Sequence, residues 1–273
     1  MGDQNAKKLN SLLGELGDTQ LVSTRWLRAH GYSSALVARY VASGWLVWVA
    51  RGVYLRAGGR LSWEGVVRSL QADEALPLHV GGRFALSLQG YEHYLRLGDP
   101  GTVTLYGPSR PPGWLEKLSL DQRFEFLGSG SFKRAFQVFS MAVSDTTLVE
   151  LGLFRLRTAD SEAGLVCSTV ERAMLELCDG VSGPTLVYEV DALMQSMTTL
   201  SPQRLAQQLR HCSSIKAKRL LLALAHRHQH AWLSHVSLDG VDLGSGKRAL
   251  VPGGRLDPTY QITLPTDLDE HLA

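Results

Sequence analysis

Residues 21–56 constrain the fold of this chain most, because they predict two short helices followed by a β-hairpin. Ser23 is the predicted N-cap of the first helix, and Gly31 marks the point where that helix must end and turn. The buried side chains of this helix are predicted to be Trp26 and Leu27. Ser33 or Ser34 then offers the N-cap of a second helix.

The second helix is predicted to have one buried face and one outward face of unusual composition. The buried face carries apolar or small residues at helical spacing, namely Val37, Tyr40, Val41 and Gly44. The outward face consists of small residues and one arginine, namely Ala35, Ala38, Arg39 and Ala42. A helix with such small side chains can lie close to another surface, and the major groove of B-DNA admits a helix. The pattern therefore predicts a helix-turn-helix unit that binds DNA.

Two β-rich runs follow the second helix and predict the wing of a winged helix. WLVWV and GVYLR are joined by Ala50, Arg51 and Gly52, which predicts a tight hairpin with an arginine at its tip. An alternative stays open at this point. An ordinary helical hairpin followed by a β-hairpin would leave Arg39 and Arg51 merely solvated.

Charge distribution favours the DNA-binding interpretation over that alternative. Residues 1–60 hold eight lysines and arginines against three aspartates and glutamates, a net charge of +5. The rest of the chain holds the other 20 basic and 23 acidic residues, a net charge of −3. A basic N-terminal unit is what phosphate binding requires. The predicted base contacts are Ser33, Ser34, Ala35, Ala38 and Arg39, and the predicted phosphate contacts are Arg25, Arg28, Arg51 and Arg56.

Length and composition indicate a soluble protein of two domains. The chain has 273 residues, of which 44% are hydrophobic and 20% charged, which is ordinary for globular proteins. No run approaches the roughly 18 apolar residues that span a membrane, and the N-terminus lacks the layout of a secretory signal, so we expect a cytoplasmic protein. Three cysteines without CxxC spacing predict neither a disulfide framework nor a zinc ribbon: Cys167, Cys178 and Cys212.

The predicted fold class is α+β, with an N-terminal winged helix-turn-helix domain over residues 1–58 and a larger mixed C-terminal domain over residues 62–273. A first amphipathic helix, ending at Gly17, packs its leucines behind the other two helices: Leu9, Leu12, Leu13 and Leu16. AGGR at 57–60 predicts a hinge, and a helix after it stops before Pro77.

The C-terminal domain is predicted to begin as a mixture of helices and strands and to end in a helical block with short strands. A helix is predicted over 79–95, and strands over 102–106, 123–127, 136–139, 147–151 and 154–158. Ser168 and Glu171 predict a capping box at the start of the helical block. Short strands at KRALV (247–251) and YQITL (260–264) are predicted to follow the block.

Two motifs invite a functional interpretation that their spacing does not support. On a helix only His226 and His230 could share a metal, because His228 points to another face, so a solvated helix end is favoured. GSGK departs from a phosphate-binding loop, because Arg248 stands where Ser or Thr would be required. No catalytic constellation is evident, so we expect no enzyme activity, no metal and no cofactor.

Three parts of the chain together resemble one family. They are the predicted winged helix, the STVERAMLELCDG helix, and a C-terminal stretch containing LGSGKR, GGRLD and YQITLP. With these motifs the chain resembles, over nearly its whole length, the AbiEi antitoxins of type IV, abortive-infection toxin–antitoxin systems. The C-terminal motifs are the most specific part, since the N-terminal unit alone would fit many regulators.

The resemblance implies an N-terminal winged-helix domain, a C-terminal antitoxin domain, and two roles. One role is repression of its own operon at inverted repeats in double-stranded promoter DNA. The other is to counteract a nucleotidyltransferase toxin from the neighbouring gene, often without a stable complex. We expect a monomer that can pair on DNA and does not bind membranes. The alternatives are a stand-alone winged-helix regulator whose C-terminal domain senses a ligand or partner, and a nuclease fused to a DNA-binding unit.

Overall fold

A computed structural model describes residues 2–72, 76–91, 101–133, 143–158 and 161–268 of the chain. The protein has an α+β fold, and its N-terminal elements follow the predicted order of three helices and a hairpin. These elements are helix α1 (Gly2–Glu15), strand β1 (Val22–Ser23), helix α2 (Thr24–Ala29), helix α3 (Ser34–Ala42), strand β2 (Leu46–Ala50) and strand β3 (Val53–Arg56). Strand β3 lies between β1 and β2 in an antiparallel sheet. The predicted hairpin is therefore confirmed, and a short third strand extends its sheet.

The three N-terminal helices enclose a small core of their own. Its buried side chains are Leu12, Leu16, Val22, Leu27, Tyr32, Leu36, Val37, Tyr40 and Leu46. Helix α1 contributes Leu9 and Leu12 of the predicted leucine stripe, and Leu16 follows the helix, which ends at Glu15 rather than at Gly17. Burying each such leucine is worth roughly 1.5–3 kcal/mol. This core fixes the position of α3 relative to α1 and α2.

Helix α4 (Trp63–Gln71) packs tightly against the N-terminal unit. A Cβ atom on Gly65 would lie 1.9 Å from the carbonyl oxygen of Thr19, so only glycine allows this approach. The Leu21 N–H donates to Ser69 Oγ at 2.8 Å, and Leu21, with Val53 of the hairpin, belongs to the large core of the rest of the chain. The division of the chain near residues 57–60 stays a prediction, and any such division must cross these contacts.

A five-stranded sheet forms the centre of the larger part of the chain, in the order β6-β5-β4-β8-β7. Its strands are β4 (His79–Val80), β5 (Thr102–Tyr106), β6 (Arg123–Phe126), β7 (Leu153–Thr158) and β8 (Ser161–Ser168). Between the strands lie helix α5 (Gly82–Ser87), a 3-10 turn (Leu115–Lys117) and helix α6 (Asp145–Glu150). Strand β4 pairs antiparallel with β5 and parallel with β8, which places it in the middle of the sheet.

The predicted helical block and glycine-rich end are both present. The block comprises α7 (Val170–Gly180), α8 (Pro184–Ser196), α9 (Pro202–His211) and α10 (Ile215–Arg227), followed by a 3-10 turn (Ala231–His235) and strands β9 (Arg255–Asp257) and β10 (Ile262–Leu264). Buried Arg219 of α10 ties the terminal loops down by donating to the carbonyl oxygens of Leu243, Gly246 and Gln261. In the described residues no helix has the length and apolar composition needed to span a bilayer.

Three predicted elements are wrong. Residues 147–151 lie in and just after helix α6 rather than in a strand, since Ser144 caps that helix by accepting from the Thr147 N–H. The helix predicted over 79–95 is strand β4 plus the short α5 as far as residue 91. KRALV forms only a single bridge, between Arg248 and Ile262. The strand predicted over 136–139 lies outside the described residues.

The capping box predicted at Ser168 is also wrong. Strand β8 runs through Ser168, and Thr169 occupies the N-cap position of α7 without a side-chain cap bond. The Glu171 carboxylate accepts instead from the backbone of Ser201 and from Arg204 Nε, so it links α7 to α9.

Glu176 lies at the centre of a buried polar network between the sheet and helix α7. Its carboxylate accepts from His79 Nε2 at 2.8 Å, Arg172 Nε at 2.9 Å, the Gly82 N–H at 2.9 Å and Ser168 Oγ at 2.9 Å. Burial alone would raise the pKa of Glu176, but its electrostatic interaction and hydrogen bond with His79, and then those with Arg172, hold it below its ordinary value. Burial, and then the charge of Arg172, lower the pKa of His79. The network is therefore an ion pair of Glu176 with Arg172 beside a neutral imidazole.

The cysteines and histidines have structural environments. All three cysteines are buried free thiols, and burial raises their pKa values. His228 lies 2.8 Å from Asp191, and His230 lies 2.7 Å from the Met194 carbonyl oxygen. The prediction that these two rings are solvated is therefore wrong. Of the three histidines in this stretch, His226 at the end of α10 is the exposed one. Within the described ranges no group of three metal-binding side chains comes together.

Candidate nucleic-acid interface

Helices α2 and α3 are joined by a turn that their caps and helix α1 hold rigidly. Ser23 Oγ accepts from the Trp26 N–H, and Ser33 Oγ accepts from the Leu36 N–H, so the first cap and one of the two alternatives for the second are confirmed. Gly31 adopts φ 79°, a conformation that favours glycine. Lys8 of α1 donates from Nζ to the Gly31 carbonyl oxygen at 3.0 Å. The two N-caps and the hydrogen bond from Lys8 therefore stabilise the position of α3 relative to α2.

The outward face of α3 carries the five residues predicted to contact bases. All five are exposed: Ser33, Ser34, Ala35, Ala38 and Arg39. Three side chains of the same segment are buried on the opposite side: Leu36, Val37 and Tyr40. Burial, followed by the influence of Tyr32, raises the pKa of Tyr40, so this inner face stays neutral. The result is a smooth surface of small side chains with a single cation.

The hairpin tip is fixed to the start of α2. The backbone N–H and the hydroxyl of Thr24 both donate to the Gly52 carbonyl oxygen, at 2.8 and 3.1 Å. Gly52 adopts φ 75°, and a Cβ there would lie 3.1 Å from Thr24 Oγ1, so glycine is needed at the tip. Arg51 beside it is exposed. The arginine tip is therefore held at a defined position relative to α2.

The four arginines predicted to contact phosphates fall into two groups. Arg25, Arg28 and Arg51 are exposed, and Arg28 donates to Ser34 Oγ at 3.3 Å, which directs it toward the N-terminus of α3. Arg56 differs, because it pairs with Asp18 at 3.0 Å and donates to the Leu16 carbonyl oxygen at 3.3 Å. These contacts give Arg56 a structural role at the base of the hairpin. Arg25 and Arg28 on α2 and Arg51 at the hairpin tip are thus the exposed members of the set.

Sequence reasoning missed an apolar patch on strand β2. Trp45, Val47 and Trp48 are exposed, Trp48 by 61%. Strand β2 is at the edge of its sheet, so its outer side has no neighbouring strand among the described residues. Exposed apolar patches of this kind mark contact surfaces. The sequence WLVWV could have indicated this patch, because the side chains of a strand alternate between two faces and cannot all lie in the core.

Two family models match the chain. One is described as a transcriptional regulator, AbiEi antitoxin, of a type IV TA system, and it matches residues 100–265. The other is described as a transcriptional regulator, AbiEi antitoxin N-terminal domain, and it matches residues 5–97. This chain belongs to the AbiEi antitoxin family. The resemblance noted in the sequence is therefore confirmed, and with it the assignment to transcriptional regulators of type IV toxin–antitoxin systems.

A solved structure shares the fold of this AbiEi chain. The crystal structure of RV2827C protein from Mycobacterium tuberculosis matches it with a TM-score of 0.50 and 14% sequence identity. The match covers 97% of this chain and 93% of that one. At this identity the likeness concerns the fold alone. No curated protein matches the AbiEi chain.

The N-terminal family model covers more than the three helices and the hairpin. Residues 5–97 also include α4, β4 and α5. This extent agrees with the close approach of Gly65 to Thr19, which joins α4 to the N-terminal unit of the AbiEi chain. The residues predicted to contact DNA all lie within this N-terminal model.

Proposed function

We propose that the chain is an antitoxin that represses its own operon through residues 1–58 and separately counteracts a nucleotidyltransferase toxin. One observation carries the first half of the proposal. The exposed face of α3 is built from small residues and Arg39, and the hairpin tip that presents Arg51 is fixed to the start of the preceding helix α2. Membership of the AbiEi family supports both halves.

Helix α3 is proposed to enter the major groove as the recognition helix of a winged helix-turn-helix. Ala35 and Ala38 allow close approach, and their methyl groups suit contact with thymine methyl groups. Ser33 and Ser34 stand at the N-terminal end of α3, where recognition helices contact base edges. Arg39 supplies the donors for a bidentate contact with guanine, the commonest specific contact in the major groove.

The exposed arginines around α3 are proposed to position the protein on the DNA backbone. Arg25 and Arg28 belong to α2, which crosses the backbone in helix-turn-helix complexes. Arg51 projects from the wing. Contacts of this kind set register and orientation but carry little sequence information. Arg56 would add to the local positive potential without leaving its pair with Asp18.

Replacement of Arg51 by alanine tests the wing. Because a phosphate contact is independent of sequence, promoter DNA and shuffled DNA should be bound more weakly by the same factor. The slope of log K against log salt should become shallower by about 0.9. Fluorescence anisotropy titrations at several salt concentrations measure both quantities. Arg123→Ala, an exposed arginine on β6, is the matched control; unchanged affinity and slope for Arg51→Ala would remove the wing from the interface.

Inverted repeats are proposed to bind two chains, one on each half-site. A single winged helix covers only one half-site, and half-sites one helical turn apart place two recognition helices about 34–36 Å from each other. Two chains held in register would bind more tightly than either alone. The chain is proposed to be a monomer that pairs on the promoter.

The antitoxin role is proposed to reside in residues 62–273 and to need no DNA. Because Ser69 and Gly65 of α4 contact the N-terminal unit, full-length variants separate the two roles with less disturbance than a truncated chain. The toxin is proposed to be encoded by the adjacent gene. A neighbouring gene of another kind would favour a stand-alone regulator instead.

The double variant Arg39→Ala, Arg51→Ala is expected to lose repression and to keep antitoxicity. Both side chains are exposed, so the fold should be unaffected. Expressed from an unrelated promoter, the variant should rescue cells that produce the cognate toxin as well as the natural chain does, while a reporter behind the operon promoter becomes fully active. Loss of rescue at equal protein abundance would show that the two roles cannot be separated in this way.

A further inference from the structure

A cavity of about 400 Å³ lies between the N-terminal unit, helix α4 and a proline-rich loop. This loop comprises residues 108–114 and precedes the 3-10 turn at Leu115–Lys117. The N-terminal unit contributes the start of α2 and the hairpin tip. Its volume is within the range of small-molecule sites, which form preferentially where separate units meet. Arg25 and Arg51, two of the residues proposed to contact DNA, line the cavity.

Most of the cavity wall is apolar, and it includes aromatic rings. Buried Leu21, Val53 and Leu70 form one side, and Trp114 of the proline-rich loop forms another. A second tryptophan, Trp26, also lines the cavity. Such a wall suits a flat, apolar molecule, because burial of apolar surface and stacking on indole rings both contribute to binding.

The charged side chains among the described lining residues of the cavity are cations. Arg25, Arg51 and Arg110 line it, and no acidic side chain is among its described lining residues. Arg110 pairs with Glu116 at 3.0 Å, and both of those side chains are largely exposed, so this guanidinium can turn toward an anion at little cost. Guanidinium groups bind carboxylates and sulfonates through paired hydrogen bonds.

We propose that this cavity binds a small aromatic anion and that the bound anion weakens DNA binding. The second part rests on the proposed function, because it assumes that Arg25 and Arg51 contact DNA phosphates. A guanidinium that holds the ligand anion cannot neutralise a phosphate at the same time. Binding of the ligand and binding of DNA therefore oppose each other, and the effect is reciprocal.

The site is tested with anilinonaphthalene sulfonate, an aromatic anion whose fluorescence rises in apolar surroundings. The full chain should bind one dye molecule saturably. Ala72→Trp fills the cavity from an exposed position at the end of α4 and should abolish this binding. Arg110→Gln removes one cation and should weaken the dye affinity about tenfold. Arg123→Gln, an exposed arginine outside the cavity, should bind the dye as the natural chain does.

The apolar patch on β2 provides the decisive control for the dye experiment. Trp48→Ser removes its most exposed side chain and should leave dye binding unchanged. Dye binding that survives in Ala72→Trp but disappears in Trp48→Ser would overturn the proposal, as would the absence of saturable binding to the natural chain. Circular dichroism of each variant shows whether it is folded, and Arg110→Gln decides the matter if Ala72→Trp is not.

The coupling to DNA is measured separately on promoter DNA. Saturating dye should weaken DNA binding of the natural chain about five- to tenfold and leave that of Ala72→Trp unchanged. An equal effect on both proteins would overturn the coupling. If the chain bound no DNA at all, the proposed function would fail, whereas the dye titrations would still decide whether the cavity is a binding site.

Discussion

A chain in which alanine replaces Glu176 is expected to lose about 3–5 kcal/mol of unfolding free energy. The change would leave the buried guanidinium of Arg172 without its carboxylate, and His79, Ser168 and the Gly82 N–H would each lose a hydrogen-bond acceptor. Removing one partner of a buried pair costs more than the pair itself contributes, because the remaining charge stays desolvated. Urea denaturation followed by circular dichroism measures the loss.

Two further variants make the test of Glu176 specific. Glu116→Ala removes a carboxylate of the same kind whose pair with Arg110 is exposed, and it should change stability by at most about 0.5 kcal/mol. Glu176→Gln keeps the shape of the side chain but not its charge, so its loss of stability should lie between those of Glu176→Ala and Glu116→Ala. An unfolding midpoint for Glu176→Ala equal to that of Glu116→Ala would contradict the assignment of the network as a determinant of stability.

The same network sets how stability depends on acid. His79 has a folded pKa below its ordinary value of 6.5, and Glu176 has one below its ordinary value of 4.5. The unfolded chain therefore binds more protons than the folded chain once the pH drops into this range, and stability is lost as pH decreases. The contribution of His79 to stability is complete above pH 6.5 and declines below it. The contribution of Glu176 to stability declines below pH 4.5. In Glu176→Gln the second decline should be reduced.

Replacement of Arg39 by alanine is expected to weaken binding to promoter DNA by about ten- to a hundredfold. A bidentate arginine–guanine contact is worth roughly 1–3 kcal/mol of discrimination, and every 1.4 kcal/mol is a factor of ten. Shuffled DNA should lose much less, since it offers no specific base contact at that position. Equilibrium anisotropy titrations of the two DNAs at one salt concentration give both factors.

Arg28→Ala is the matched control for Arg39→Ala. Arg28 is an exposed arginine of the same helix-turn-helix unit, and its contact with Ser34 directs it toward the proposed DNA backbone. Its loss should weaken binding to promoter and shuffled DNA alike. If Arg39→Ala behaved in the same way as Arg28→Ala, Arg39 would contact the DNA backbone, and α3 would recognise the base sequence through other residues.

Helices α2 and α3, the turn between them and the hairpin could be predicted from the sequence because their signals are local. Ser23 and Ser33 each cap a helix through a backbone N–H three residues away, and Gly31 and Gly52 adopt positive φ angles at the turns. Each of these choices depends on residues within one turn of helix or hairpin. The exposed face of α3 follows directly from the 3.6-residue period once the helix ends are known.

Strand β4 could not be predicted in the same way, because its partners are distant in sequence. Val80 pairs with Leu105 on one side and with Cys167 on the other. Two residues carry no detectable periodicity of their own, and the glycines that follow predict a helix start equally well. The Glu176 network was missed for a similar reason, although Arg172 and Glu176 at i, i+4 on a largely apolar face give a detectable signal.

The candidate site combines residues whose exposure is predictable from local patterns with residues whose contacts depend on the tertiary fold. Exposure of Arg39 and Arg51 could be predicted from helix and hairpin patterns, whereas the pairing of Arg56 with Asp18 depends on how β3 meets the turn after α1. The cavity could not be predicted, since three segments that are separate in the sequence must meet to enclose it. Local patterns thus identify a surface, and tertiary contacts decide which of its charges remain available.

The most direct test of the account is the affinity of the natural full-length chain for the promoter of its own operon. The chain is titrated on that promoter and on a shuffled sequence of equal length at the same salt concentration. Specific DNA-binding proteins bind their sites at least about a thousandfold more tightly than other DNA, and we expect a ratio of this size. Equal affinities for the two DNAs would contradict a sequence-reading role for α3.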